Sequence, residues 1–248
     1  MSLITLLQLY PEQLGVSGDG GNVVTLAERA RRAGHSVELV SHRPGDEIPA
    51  AVPDLVHVGS GPLSTLRAIH SDAQRFAGLL RDWADAGVPI VAIGGGMELL
   101  SNGITGEGAD LEGLGLFDAV AHRGAKRRAN YFRVETTYDG DLLTLFGFED
   151  HATRFELGPT GTPFGIVASG GGNGDGTEGV VRGASFGTQL KGPALPLNPE
   201  LTDRVLTAAL ARTGGTYETN ALHAKLDEFA RQSRLVIEKN LEHVFKAM

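Results

Sequence analysis

The sequence predicts an α/β domain with a mostly parallel sheet flanked by helices and an antiparallel extension. Two observations support this class. In the first half, short and continuously apolar segments alternate with helical segments, which is the pattern of parallel strands buried on both faces. In the second half, the strand-like segments are shorter and alternate apolar with polar residues, as antiparallel strands with one solvent-facing side do. A length of 248 residues suits one such domain.

The first half is predicted to form a β–α–β–α–β series. The predicted elements are, in order, strand 3–10, helix 23–32, strand 37–40, strand 54–58, helix 63–85 and strand 88–93. Gly34 and Gly87 follow the two helical segments, and glycine is the residue that most often ends a helix. Strands separated by helices in this way pair in parallel through crossover connections.

The second half is predicted to supply the antiparallel strands and two further helices. These elements are strands 127–137, 144–148, 154–157 and 180–189, helix 199–211 and a tail helix over about 220–246. The tail repeats apolar residues at near-heptad spacing, namely Leu222, Leu226, Phe229, Val236, Leu241 and Val244. Two interpretations stay open for this amphipathic segment, residues 216–248. It packs back on the domain formed by residues 1–215, or it docks a partner subunit.

Composition restricts the classes of function. The formal net charge of −8 argues against nucleic acid or an anionic membrane as the main partner. No apolar run approaches the roughly 20 residues of a membrane helix, and the N-terminus lacks the features of a signal peptide, so we expect a cytoplasmic protein. With no cysteine, scattered histidines and no phosphate-binding loop, we expect no disulfide, metal or cofactor. We expect the glycine-rich stretch 171–178 to be a mobile hairpin tip rather than a calcium site.

The most informative segment joins a buried strand to a helix through three glycines. The apolar stretch 88–93 runs into Gly94, Gly95 and Gly96, and Met97 and Glu98 follow at the start of the helix. In hydrolases, a strained turn of this kind lifts a nucleophilic side chain out of the sheet. The position that should carry the nucleophile is Gly94, so the turn is present without a reactive atom.

Seven motifs in register, between about residues 3 and 212, carry a resemblance to a known family. They are Gly18-Asp19-Gly20-Gly21-Asn22, Val58-Gly59-Ser60-Gly61, Gly94-Gly95-Gly96-Met97-Glu98, Leu111–Asp118, Gly147-Phe148-Glu149-Asp150-His151, Gly170–Gly174 and Gly187–Pro193. The chain resembles the class I glutamine amidotransferases of CobB/CobQ-like type, and most nearly the GatD subunit of lipid II isoglutaminyl synthase. This resemblance implies the flavodoxin-like class I glutamine amidotransferase fold.

Two departures fall on the residues that perform the family's reaction. Family members hydrolyse glutamine with a cysteine thiolate that a histidine activates. In this chain the cysteine position is Gly94 and the histidine position is Lys191. Losing the nucleophile of a triad hydrolase costs about a million-fold in turnover. The resemblance therefore implies a naturally degenerate site with no intact catalytic residue and no glutamine hydrolysis of its own.

Parts of the family's binding site are retained. Arg127 aligns with a family arginine that holds the α-carboxylate of glutamine, although the neighbouring Arg128 could be the residue that aligns. In the alternative interpretation, Arg127 belongs to an exposed basic loop and binds nothing. The backbone donors to a carbonyl oxygen are retained in vestigial form at Gly59, Ser60, Gly61 and Gly95.

Two charged residues of the degenerate site have two interpretations each. Asp19 stands at the family's third triad position, or it caps the following helix near Val23. Lys191 supplies a fixed positive charge that pairs with Asp19 or Glu98, or it is a solvated lysine.

The resemblance implies a role in amidation. In the family, the amidotransferase subunit delivers ammonia to a Mur-ligase-like partner, MurT, which amidates lipid II in peptidoglycan synthesis. Our leading hypothesis is a degenerate subunit that acts as a binding or regulatory partner of such a MurT-like ligase. The alternatives are a subunit in cobyrinate amidation, a sensor that binds a small carboxylate such as glutamine, and an enzyme of altered chemistry. The last would recruit Ser60, Thr188 or Asp19 as nucleophile or base.

Overall fold

The structure, a computed structural model, describes residues 1–106 and 108–242. The strands are β1 Leu3–Leu9, β2 Ser36–His42, β3 Leu55–Val58, β4 Ile90–Ile93, β5 Gly103–Thr105, β6 Leu111–Glu112, β7 Ala119–Thr136, β8 Leu143–Leu157, β9 Gly165–Ser169, β10 Thr177–Glu178, β11 Val180–Arg182 and β12 Ser185–Thr188. The α-helices are α1 Gly20–Arg32, α2 Leu63–Ala73, α3 Ala77–Asp85, α4 Gly95–Leu100, α5 Ala194–Leu197, α6 Pro199–Ala211 and α7 Ala224–Lys239.

The central sheet has the strand order β11-β12-β4-β3-β1-β2. Every neighbouring pair is parallel except β11 and β12, which form an antiparallel hairpin. The mostly parallel α/β class is therefore confirmed. The single strand predicted over residues 180–189 is instead this hairpin, because the chain turns at Gly183, whose φ of +57° suits glycine.

Two apolar cores form because the central strands bury both faces. Along β1, Leu7 and Leu9 belong to one core and Ile4 and Leu6 to the other. Side chains of a strand alternate between faces, so one apolar strand supplies both layers. The predicted helix 63–85 covers one face as α2 and α3, and a 3-10 turn between them places Phe76 in the core.

A second sheet is built around a long hairpin of β7 and β8, which pair in antiparallel register. The strands predicted over 127–137, 144–148 and 154–157 are fragments of these two longer strands. The missed portion of β7 is its first part, residues 119–126, which includes a polar stretch where the register shifts and no apolar alternation marks a strand. This hairpin passes the carboxyl end of the central sheet and brings charged side chains to it.

The glycine-rich stretch 171–178 lies in the connection between β9 and β10, which pair as an antiparallel hairpin, and its mobility stays a prediction; its tip at residues 174–176 is exposed, whereas Asn173 and Glu178 are buried. The buried amide of Asn173 donates to the carbonyl of Gly179 at 2.9 Å and accepts from its N–H at 3.0 Å. Glu178 is fully buried and accepts hydrogen bonds from Thr188 and Gln189. The glycines allow this tight path, and side-chain hydrogen bonds fix it.

The tail lies against α1 and α6 over the part that the structure describes. Arg29 of α1 is 1% exposed and bridges Asp203 of α6 and Asp227 of α7, at 2.7 and 2.6 Å. Phe229 and Val236 of α7 remain exposed, so a docking role for this helix stays a prediction. Val244 lies outside the described residues. Within residues 1–106 and 108–242, no helix is both long and apolar enough to cross a bilayer.

Candidate functional site

The glycine turn after β4 has the geometry of a nucleophile elbow. Gly94 adopts φ +51° and ψ −110°, a conformation that side-chain-bearing residues rarely adopt. Its N–H donates to the carbonyl of Thr188 at 2.8 Å, and its carbonyl accepts the N–H of Glu98 at 3.0 Å, which begins α4. Position 94 therefore lies at the carboxyl end of the parallel strands, where ligands of α/β sheets bind.

Two neighbouring side chains fill the space that a nucleophile at position 94 would take. A Cβ atom built on Gly94 would lie 2.5 Å from Cε of Lys191, 2.6 Å from Oγ of Ser60 and 3.0 Å from Nζ of Lys191. Carbon atoms in proteins meet at about 3.5–4.0 Å, so this position cannot carry a side chain unless its neighbours move. A side chain at position 94 would therefore have to displace Lys191 and Ser60.

Lys191 is buried, so the interpretation of a solvated lysine is wrong. Its side chain is 7% exposed, and Nζ donates to the backbone carbonyl of Asp150 at 2.8 Å. Burial lowers its pKa overall, although the carboxylates of Glu98, Asp150 and Asp19 act in the opposite direction. Lys191 makes this carbonyl contact instead of the predicted ion pair with Asp19 or Glu98. The carboxylates of Asp19 and Glu98 affect Lys191 only through their charge.

Asp19 holds the loop that carries Ser60. Its buried carboxylate accepts the N–H of Ser60 and the side-chain amide of Asn22, the latter at 2.9 Å. It makes no side-chain capping hydrogen bond to α1, so the capping interpretation is wrong. Burial raises the pKa of Asp19 to about 7, while the hydrogen bond from Ser60, the charge of Lys191 and Asn22 oppose that rise.

The loop after β3 faces the elbow at close range. The hydroxyl Oγ of Ser60 accepts the N–H of Gly95 at 3.1 Å, so the backbone donor that would stabilise an oxyanion is already occupied. A Cβ on Gly59 would lie 2.0 Å from the carbonyl oxygen of Leu14, and one on Gly95 would lie 2.4 Å from that of Gly61. These glycines are needed for close backbone packing.

Two ion pairs from the β7–β8 hairpin line the same cavity. Arg127 pairs with Asp150 through both carboxylate oxygens, and its side chain is largely exposed. Arg123 donates from Nε to Glu98 at 2.8 Å, and Thr153 donates to the other oxygen of Glu98 at 2.7 Å. Sequence reasoning missed Arg123, because only the hairpin brings it beside α4. The cavity has a volume of about 310 Å³.

His151 and Thr188 lie near the site without a free reactive group. The two ring nitrogens of His151 face the carbonyl of Thr153 at 2.8 Å and the carboxylate of Glu149 at 3.1 Å. Both ring nitrogens therefore contact oxygen atoms of the protein. Thr188 is fully buried and donates its hydroxyl to Glu178.

The arrangement of sheet, elbow and facing loop defines a glutamine amidotransferase type of domain. A solved structure described as a crystal structure of glutamine amidotransferase superposes with a TM-score of 0.53 at 16% identity, covering 84% of this chain and 98% of that one. At this identity the likeness concerns the fold alone. Within that class, residues 10–198 match the CobB/CobQ-like glutamine amidotransferase domain, and the chain belongs to this family.

Curated relatives extend over most of the chain. The lipid II isoglutaminyl synthase (glutamine-hydrolyzing) subunit GatD of Staphylococcus aureus (strain N315) is 29% identical over 94% of this chain and 95% of the relative. The subunit of the same name from Streptococcus pneumoniae (strain ATCC BAA-255 / R6) is 27% identical over 86% and 82%. Cobyric acid synthase of Rhodobacter capsulatus is 31% identical over 53% of this chain and 28% of its own length.

Proposed function

We propose that this chain is a GatD-like amidotransferase subunit that does not hydrolyse glutamine and that acts in the cytoplasm by binding a Mur-ligase-like, MurT-like, partner in lipid II amidation. Similarity to two GatD subunits over most of the chain supports the pathway. The cobyrinate alternative has less support, since the likeness to cobyric acid synthase covers 53% of the chain.

The observation that carries the absence of hydrolysis is the filled nucleophile position. Glutamine hydrolysis by this fold needs an atom that attacks the side-chain carbonyl and a base that accepts its proton. At Gly94 there is no such atom, and Lys191 with Ser60 occupies the volume that one would need. The donor that would stabilise the resulting oxyanion, the N–H of Gly95, is bonded to Ser60.

Two measurements test this proposal. The full chain is co-purified with a Mur-ligase-like protein from the same organism, and the complex is sized by light scattering. Ammonia release from glutamine is then measured for the free chain and for the complex. We expect a stable complex and ammonia at the buffer rate in both samples. Absence of a complex would remove the partner role, and ammonia release that tracks the chain's concentration would remove the claim of no hydrolysis.

A second candidate function, hydrolysis of an amide or ester by Ser60, rests on the closeness of Ser60 and Lys191 to position 94. A Cβ built on Gly94 would lie 2.6 Å from Oγ of Ser60 and 3.0 Å from Nζ of Lys191, so these two groups are close neighbours, and burial lowers the pKa of Lys191. In this candidate, Oγ of Ser60 attacks the carbonyl carbon of an amide or ester and its proton passes to Nζ of Lys191. Nζ returns the proton to the departing amine or alcohol, and water then hydrolyses the acyl-serine. Hydrolysis of an amide or ester that Ser60→Ala abolishes would establish it, and equal rates for the two proteins would exclude it.

A further inference from the structure

Hydrogen-bond donors of Ser60 and Lys191 line the cavity that lies beside Gly94. Nζ of Lys191 carries three hydrogens as an ammonium, and one contacts the carbonyl of Asp150 at 2.8 Å. Oγ of Ser60 accepts the N–H of Gly95 at 3.1 Å, so its own hydrogen is available to donate. A ligand group placed here therefore meets a hydroxyl hydrogen and an ammonium.

The carboxylates near Lys191 and Ser60 already accept hydrogen bonds from other residues. Glu98 accepts hydrogen bonds from Arg123 and Thr153, and Asp19 accepts them from Ser60 and Asn22. A carboxamide offers one acceptor oxygen and an NH₂ group that needs an acceptor of its own. A carboxylate offers two acceptor oxygens, so it suits this set of donors better than a carboxamide does.

The charges of the cavity also favour a carboxylate over a carboxamide. Arg123 is paired with Glu98 and Arg127 with Asp150, whereas the ammonium of Lys191 hydrogen-bonds a neutral carbonyl. A bound carboxylate would give this buried cation a direct partner, and such charge-assisted hydrogen bonds are the stronger kind.

The opposite end of the cavity suits the backbone of an amino acid. Arg127 and Asp150 lie together at the exposed rim, and a guanidinium beside a carboxylate can hold an α-carboxylate and an α-ammonium group. The cavity volume of about 310 Å³ leaves room for one small amino acid.

We propose that this cavity binds a small amino dicarboxylate, with L-glutamate as the probe, in preference to L-glutamine, and that Lys191 and Ser60 hold the side-chain carboxylate. This inference rests on the proposed function, because it requires a site that binds without cleaving. A site that hydrolyses glutamine must bind the carboxamide side chain, whereas the site proposed here prefers the carboxylate side chain of glutamate. The preference follows from one added hydrogen bond to a buried charge, which predicts at least about a 10-fold lower Kd for glutamate.

Titration calorimetry on the full chain with each amino acid tests the proposal. We expect glutamate to bind more tightly than glutamine in the wild type. Lys191→Met, which keeps most of the length of the side chain without its charge, should remove the preference. Lys126→Met, a change at an exposed lysine of the same hairpin, should leave it intact. Thermal unfolding verifies that each variant is folded.

Ser60→Ala is the second variant, and it keeps the test decisive if Lys191→Met does not fold. It removes one donor, so the preference for glutamate should fall by several-fold. Tighter or equal binding of glutamine by the wild type, no heat with either ligand up to about 10 mM, or an unchanged preference in a folded variant would overturn the proposal. Ammonia release from glutamine would instead contradict the proposed function, so the two failures are distinguishable.

Discussion

Restoring the family's cysteine on its own is expected to damage the protein without restoring hydrolysis. In Gly94→Cys, the new Cβ would lie 2.5 Å from Cε of Lys191 and 2.6 Å from Oγ of Ser60. The backbone would also hold a cysteine at φ +51°. Strain at such a conformation costs about 1–3 kcal/mol, and overpacking costs about 1–3 kcal/mol more.

We expect a loss of about 2–4 kcal/mol in the free energy of unfolding, because the flexible end of Lys191 can move aside and relieve part of the overlap. For a domain of this size, that loss lowers Tm by roughly 5–15 °C. Differential scanning calorimetry measures the shift, and an ammonia assay with glutamine should give the buffer rate. The matched control is Gly78→Cys, since a Cβ at Gly78 meets no atom within 4 Å. It should leave Tm nearly unchanged.

Two results would refute this reasoning. An unchanged Tm in Gly94→Cys would show that position 94 has room that the distances deny. Glutamine hydrolysis by Gly94→Cys alone would show that a thiol at this turn needs neither a histidine nor a vacant oxyanion donor. The companion variant Gly94→Cys with Lys191→His removes the lysine stem and adds a base. It should recover part of the lost stability and gain measurable ammonia release.

Three further predictions concern the surroundings of the site. Arg29→Ala should cost about 2–3 kcal/mol by leaving two carboxylates without their buried partner, and hydrogen exchange should rise in α7. The pKa of Asp19 is about 7 in the fold and about 3.9 in an unfolded chain. Its stabilising contribution is therefore complete below about pH 4 and is lost as the pH rises through about 7, so Tm should fall relative to Asp19→Asn over that window. Asn173→Ala should cost about 2–3 kcal/mol in chemical unfolding, because it leaves the buried backbone of Gly179 without its partners.

Each of these three predictions has a control or an outcome that contradicts it. Arg31→Ala removes an exposed pair with Glu28 on the same helix and should change stability by less than about 0.5 kcal/mol. For Asp19, parallel curves of Tm against pH for the wild type and Asp19→Asn would contradict the raised pKa. For Asn173, a variant as stable as the wild type would show that its hydrogen bonds to Gly179 do not stabilise the fold.

The sequence predicts most of the parallel half of the fold, because continuous apolar strands and amphipathic helices are local signals. The predicted helix 199–211 coincides with α6 Pro199–Ala211. The β7–β8 hairpin was predicted only in pieces, since the polar stretch of residues 122–126 carries no strand pattern. A long hairpin is held by pairing between distant segments, which a single segment cannot show.

The sequence predicted which residues lie at the candidate site more completely than it predicted which atoms they contact. The motifs placed Gly94, Lys191 and Ser60 at one end of the sheet, and the structure brings them together. The contact of Lys191 with a backbone carbonyl and the pairing of Glu98 with Arg123 were not predictable. Burial of a lysine depends on the elements packed around it, and its neighbours come from several separate segments of the chain.

Glycine at position 94 and lysine at position 191 form one packing unit. The end of the Lys191 side chain lies in the volume that a cysteine would occupy, so a cysteine must displace it. Conversely, the lysine can lie there because glycine has no side chain. The two residues in contact should therefore be strongly non-additive, and a double-mutant cycle on Gly94→Cys and Lys191→His should show a favourable coupling of about 1–3 kcal/mol. Additive effects would mean that the two substitutions are independent and that the cavity is not shaped by their contact.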